Sequence, residues 1–314
     1  GSKKPHTLWA GVTSSPELMA LQAEISRICT RLDLPADPRK FTPHVTLARL
    51  RHPRLAEVVD YLHAFGNFRT LIERVTYNAA MGSFLTFLGN RKANASTGSV
   101  PDENYARELM QLFTIGLVRL NMDGSVVTSG GQPVETYTPA DVAGLARVFT
   151  GLVLDGSDNT TPDRYRRAMI FNTGQHETGA STFLGTTVAA GASGADAIRQ
   201  ALDTIFAHPN VPPFVSKQLI QRLVTSNPSA AYVGRVAAKF ADNGSGVRGD
   251  MQAVIRAILM DTEARTEPTA TSAGKLREPV MRLTTWARAF GATSNSGNWT
   301  TGDTSNSTNR LAQA

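Results

Sequence analysis

Glu103, Glu108 and His176 are side chains whose types could together hold a divalent cation or exchange a proton, if the loop QHETG (175–179) folds over the helix that carries the two acids. The spacing argues for a structural role instead. There is no H-E-x-x-H, and Glu103 and Glu108 stand five apart, on different faces of a helix. The expectation is that Glu103 pairs with Arg107 and that Glu177 serves as a cap. His44, Thr46 and Ala48 share one face of a strand, with Val45 and Leu47 on the other. Arg49 then faces away from His44 if that strand is regular. GSGVRGD (244–250) could offer backbone amides to a phosphate at a helix start, yet no Lys-Ser/Thr follows and no strand precedes it. A flexible connection with Asp250 as N-cap is expected there. His208 closes a helix, where a histidine suits the dipole. Arg277, Arg282 and Arg288 could bind anions, but Glu278 interrupts the row and a solvated helix face is the plainer reading.

The elements that position these groups follow from periodicity. PDENYARELMQLFTIG (101–116) reads as a central helix. Asp102 caps it, Gly116 stops it, and Tyr105, Leu109, Leu112 and Phe113 form its apolar stripe. Glu103–Arg107 and Asn104–Glu108 are pairs four apart on its polar side. Upstream, residues 7–12 and 41–50 read as strands around a helix opened by Ser14-Ser15-Pro16, and a further helix is expected from Pro53 to His63. One helix is expected over 71–89. A hairpin-like excursion spans Val118 to Tyr137, with turns at Asp123-Gly124 and Gly130-Gly131. Thr138-Pro139 starts the next helix. Residues 155–191 read as mostly irregular. Helices are then expected over 194–207, 212–225, 229–242, 250–261 and 275–290, followed by a Ser/Thr/Asn/Gly-rich tail.

The totals bound the class. The 314 residues carry 41% hydrophobic side chains and include no apolar run long enough to span a bilayer. A net charge of +6 is spread, with nine Lys+Arg against six Asp+Glu in residues 1–63, so no nucleic-acid stripe stands out. Cys29 is the single cysteine, which leaves no disulfide framework and no cysteine-based metal site. No basic-then-apolar leader opens the sequence. No metal or cofactor is expected.

HTLWAGV (6–12), the helix after it and PHVTLARL (43–50) resemble the C-terminal half of the 2H phosphoesterases, specifically the RNA 2′,3′-cyclic phosphodiesterases once called 2′-5′ RNA ligases. In that family two His-x-Thr/Ser motifs face each other across a cleft, since opening a cyclic phosphate needs a base for water and an acid for the leaving ribose oxygen. The resemblance implies His44 as one of the pair, Thr46 as a donor to phosphate oxygens and Arg49 as a substrate contact. It also implies a partner missing from this stretch: His6, His52, His63 and His208 are not followed by x-Thr or x-Ser, and the one other His-x-Thr, His176-Glu177-Thr178, lies far downstream in the QHETG loop. From Ala64 onward, MGSFLTFLGNRKA, PDENYARELMQLFTIG, YTPADVAGLARVFTG, FADNGSGVRGDMQAVIRAILMDTEAR and KLREPVMRLTTWARAFGA resemble, in order, the DUF1800 family of bacterial proteins, which are mainly helical, uncharacterised and in many cases exported. The two resemblances overlap at YLHAFGNFRT (61–70) with no linker between them.

The expected fold is mixed: an incomplete α/β (strand–helix–strand) half-domain at 1–63, a mainly α-helical domain at 64–292 that the resemblance implies is truncated, and a tail at 293–314. The expected function is a helical binding or assembly module for an unknown protein or surface partner. It carries an inactive phosphodiesterase-like segment in what reads as a chimeric gene product. The alternative is hydrolysis of RNA 2′,3′-cyclic phosphate ends through the single HxT motif of that segment, His44/Thr46, completed by another half. The compartment would be extracytoplasmic if the larger part dominates and cytoplasmic if the smaller does.

Overall fold

The computed structural model describes residues 7–11, 16–31, 44–49, 66–156, 162–266, 274–295 and 297. The chain divides into two compact units, 1–64 and 65–314. In the first, β1 (Thr7–Gly11) and β2 (His44–Arg49) pair antiparallel, with helix α1 (Pro16–Arg31) between them in sequence. The strand–helix–strand order is as expected. The helix expected at Pro53–His63 lies outside the described residues.

The second unit is mostly helical. Its first helical stretch is two helices, not one: α2 (Phe68–Thr76) and α3 (Ala79–Phe84). Asn78 makes the break, because its side chain accepts from the Ala80 and Met81 amides and so starts a new helix. The central stretch also departs from a plain helix. A short α4 (Asn104–Glu108) passes into a π-helical turn, Leu109–Thr114. In that turn the Ile115 amide reaches back five residues to the Met110 carbonyl, at 3.0 Å. The wider turn shifts the apolar face. Tyr105, Leu109, Met110 and Ile115 are buried, while Leu112, expected on the stripe, is 53% exposed. Gly116 ends the turn at φ +73, where a Cβ would stand 2.6 Å from the Phe214 ring, so both conformation and space call for glycine.

The excursion after it contains the expected hairpin, β3 (Thr128–Ser129) with β4 (Gln132–Pro133), turning at Gly130-Gly131. Helix α5 (Pro139–Val148) opens on a capping box, Thr138 with Asp141. The stretch expected to be irregular is more ordered than that. β5 (Leu152–Val153) pairs with β6 (Ile170–Phe171), and β7 (Ser181–Phe183) forms a tight hairpin with β8 (Thr186–Val188). The helices α6 (Gly194–Ala207), α7 (Val211–Leu223), α8 (Ala230–Ala241) and α9 (Met251–Met260) fall close to their expected bounds. Ser193, Ser229 and Asp250 cap α6, α8 and α9 through their side chains. A turn, α10 (Thr262–Arg265), and α11 (Pro279–Ala289) complete the described helices.

One core serves this unit. Tyr105 stacks on Phe87 at 4.0 Å between ring centroids and meets the Phe149 ring edge-on at 4.8 Å. Its hydroxyl is 2.7 Å from that of Thr76, which in turn donates to the Ile72 carbonyl. A tyrosine with no exposed surface thus ties α4 to α2 and α5.

Candidate functional site

The site residues expected in the first unit all lie on β2, and its register is irregular. Gly11 pairs with His44, Ala10 with Val45 and Trp9 with Thr46, but Leu8 pairs with Ala48, so Leu47 is passed over as a bulge. Thr7 then pairs with Arg49. His44, Thr46 and Arg49 accordingly stand opposite odd-numbered positions of β1. The extra residue brings Arg49 into phase with the other two, whereas a regular strand would set it in opposite phase.

In the helical unit the three acid–base candidates are each placed by local structure. Glu103 holds Arg107 at 2.8 Å, as the spacing predicts. Glu108 does not pair with Asn104. The Asn104 side chain instead turns to the Thr86 hydroxyl, and Glu108 Oε2 is buried with no hydrogen-bond partner among the described residues. The Tyr137 hydroxyl is buried in the same state. Burial pushes the Tyr137 phenol above its ordinary range, Arg107 draws it back and Glu108 adds to the rise. His176 is buried against the Phe171 ring, and its Nδ1 lies 2.9 Å from the Thr150 carbonyl oxygen. Glu177 Oε1 accepts from the Gly179 amide and faces Arg147 at 3.5 Å, the capping role expected of it. Among the described residues no three His, Cys, Asp or Glu side chains are grouped closely enough to hold a metal ion.

The start of the central segment is a polar knot. Asp102 accepts from the Asn104 amide through Oδ1 and from the Thr86 hydroxyl through Oδ2, while Asn90 exchanges two bonds with the Asp102 backbone. Asp102 therefore bonds a free amide of the helix start, as the sequence predicts, from one residue before the N-cap Glu103, whose own side chain makes no cap bond. Thr86 is held at φ +61, a conformation that a β-branched residue rarely adopts.

The GSGVRGD segment is pinned rather than flexible. Arg248 donates to the Phe206 and His208 carbonyls at the end of α6, and Asn67 donates to the Arg248 carbonyl. Arg248 thus supplies the cation at that helix end, and His208 does not. The His208 pKa is held below its ordinary value by burial first, then by Arg119 and Arg248, and its Nδ1 accepts from the Asn210 amide. Neither Arg248 nor Asn210, whose side chain binds Ile115, Val118 and Leu120 of the distant excursion, announces these roles in the sequence. Both act across long stretches of chain, beyond any local pattern. An open groove of about 960 Å³ is lined by Glu73, Arg74, Tyr77, Met81, Phe84 and Arg167.

Fold and site together define a mostly helical protein preceded by a small strand–helix–strand unit, with Glu103 and His176 drawn into structure. Residues 54–314 match the family model described as a protein of unknown function (DUF1800), and the chain belongs to that family. Residues 11–80 match a model for LigT-like phosphoesterases, so this stretch is similar to part of a 2H phosphoesterase. The two matches share residues 54–80, and the chain is chimeric in what it resembles. No curated protein and no solved structure matches the chain.

Proposed function

We propose that the helical unit is a binding or assembly module and that the phosphoesterase-like segment is inactive by itself. One observation carries this reading: Glu103 and His176, two of the three acid–base candidates, are committed to holding the fold. Glu103 binds Arg107, His176 faces the Thr150 carbonyl and Glu177 closes its own loop. The partner is a protein or a surface, and the family resemblance favours a place outside the cytoplasm. Incubating the purified chain with a 2′,3′-cyclic nucleotide tests the second half of the reading. No turnover above buffer, and none lost in His44→Ala, is expected. Turnover that His44→Ala abolishes would overturn it.

A second reading has its own support in the bulge that puts Arg49 in phase with His44 and Thr46. On that reading the three residues form half of a phosphate site. His44 would carry one proton, Thr46 would donate to a phosphate oxygen and Arg49 would offset its charge. Adding a separately produced complementary half with its own His-x-Thr motif should then restore hydrolysis. Continued silence in that mixture removes the second reading.

A further inference from the structure

The last described helix is amphipathic, yet it buries no residue. At 100° per residue, Val280, Leu283, Trp286, Ala287 and Phe290 share a sector of about 120°. Val280, Leu283 and Ala287 on one side of that sector are half-buried, whereas Trp286 and Phe290 on the other are 53% and 75% exposed, with ring centroids 5.9 Å apart. Leu276, just before the helix, is exposed as well. The same segment, Lys275 to Phe290, carries Lys275, Arg277, Arg282 and Arg288 against the single carboxylate of Glu278. That carboxylate is already answered by Arg222 at 2.6 Å. Arg277, Arg282 and Arg288 have no ion-pair partner among the described residues. Beside the helix start a groove of about 460 Å³ is lined by Gln218, Arg222, Lys275, Arg277 and Met281.

We propose that α11 and the segment leading into it dock on an anionic lipid surface, with Trp286 and Phe290 entering the headgroup boundary and Arg282, beside Trp286, and Arg277 meeting lipid phosphates. The charge selects the occupant. A second copy would bring the same unpaired arginines to the contact and be repelled, while an anionic bilayer offers the opposite sign over an extended plane. Exposed indole and phenyl rings flanked by arginine fit a boundary that is apolar on one side and wet on the other, where long cationic side chains extend toward phosphate. No helix among the described residues is long and apolar enough to cross a membrane, so the contact is peripheral. The inference stands whether the helical unit binds or catalyses, since it uses none of the acid–base residues.

Flotation of the full chain with vesicles tests it. One set is phosphatidylcholine alone, and the other replaces about one-third of that lipid with phosphatidylglycerol. Binding is expected to the anionic vesicles alone, and to weaken at high salt. Each cation near such a surface is worth about a fivefold change in partition, so the Arg277→Glu/Arg282→Glu pair should lower binding by tenfold or more, while Arg277→Lys/Arg282→Lys retains it. Trp286→Ser should lower it several-fold with the charges intact. Equal binding to both vesicle sets, no binding to either, or a chain that dimerises through α11 and ignores lipid would each overturn the proposal.

Discussion

Two helical stretches of equal length, Asn104–Thr114 and Pro279–Ala289, meet opposite fates. The first buries Tyr105, Ala106, Leu109, Met110 and Thr114, and the second buries nothing. Both carry an apolar stripe and a charged face. The difference lies in their neighbours: α4 packs on α5, and the π-helical turn beyond it meets α6 and α7. An amphipathic pattern therefore states which face will be covered if something covers it, and says nothing about whether the chain supplies the cover.

The sharpest way to break this comparison is to remove the side chain at the centre of each stretch. Tyr105→Ala deletes a fully buried ring, two aromatic contacts and a hydroxyl partner, and should cost about 3–5 kcal/mol in denaturant unfolding. Trp286→Ala should change stability by no more than about 0.5 kcal/mol, since its ring is half in water. Equal losses at the two positions would show that α11 is covered in solution. Asn210→Ala comes next. Its side chain is 2% exposed and makes three bonds to the Ile115 and Val118 carbonyls and the Leu120 amide, just beyond the π-helical turn. Leaving those backbone groups unpaired should cost about 2–3 kcal/mol. A loss well below 1 kcal/mol would mean that water takes over the bonds.

The buried side of the comparison also excludes charge, and this gives a smaller effect that depends on pH. Burial, Arg119 and Arg248 hold the His208 pKa below the ordinary 6.5, so the unfolded chain binds a proton that the folded chain refuses. Stability from this residue is complete above the unfolded value and declines as pH falls below it. His208→Gln should flatten that part of the unfolding curve between pH 7 and 5. An unchanged slope would place the titration elsewhere.

Helix bounds were legible because their signals are local. Asp250 and Thr138 cap the helices assigned to them, Ser193 and Ser229 cap helices that begin within a residue of their expected bounds, and Glu103 finds Arg107 four residues on. What escaped depends either on a residue inserted into a regular pattern or on partners far along the chain. The bulge at Leu47 reverses the phase of Arg49, and Asn78 splits a continuous apolar run by bonding to its own backbone. Arg248 finds the end of α6 some forty residues back, in place of the histidine that the dipole argument favoured. The candidate site was legible to the same degree. Residue types and the Glu103 pairing were readable, but the bond of His176 to Thr150 and the burial of Glu108 Oε2 without a partner arise only when distant loops close.

The smallest expected effect is the most discriminating, because it separates a π-helical turn from a plain helix. In a regular helix Leu112 would lie above Tyr105 and Leu109, seven and three residues back, and Met110 would stand to one side. The turn's extra residue reverses this, so Leu112 is 53% exposed and Met110 has no exposed surface. Leu112→Ser should therefore change stability by about 0.5 kcal/mol or less, the usual range for a surface substitution. Met110→Ala, a larger deletion at a closed site, should cost about 2–5 kcal/mol. If Leu112→Ser proved the costlier of the two, the central stretch would be a regular helix in solution, and its burial would differ from that of α11 in extent but no longer in register.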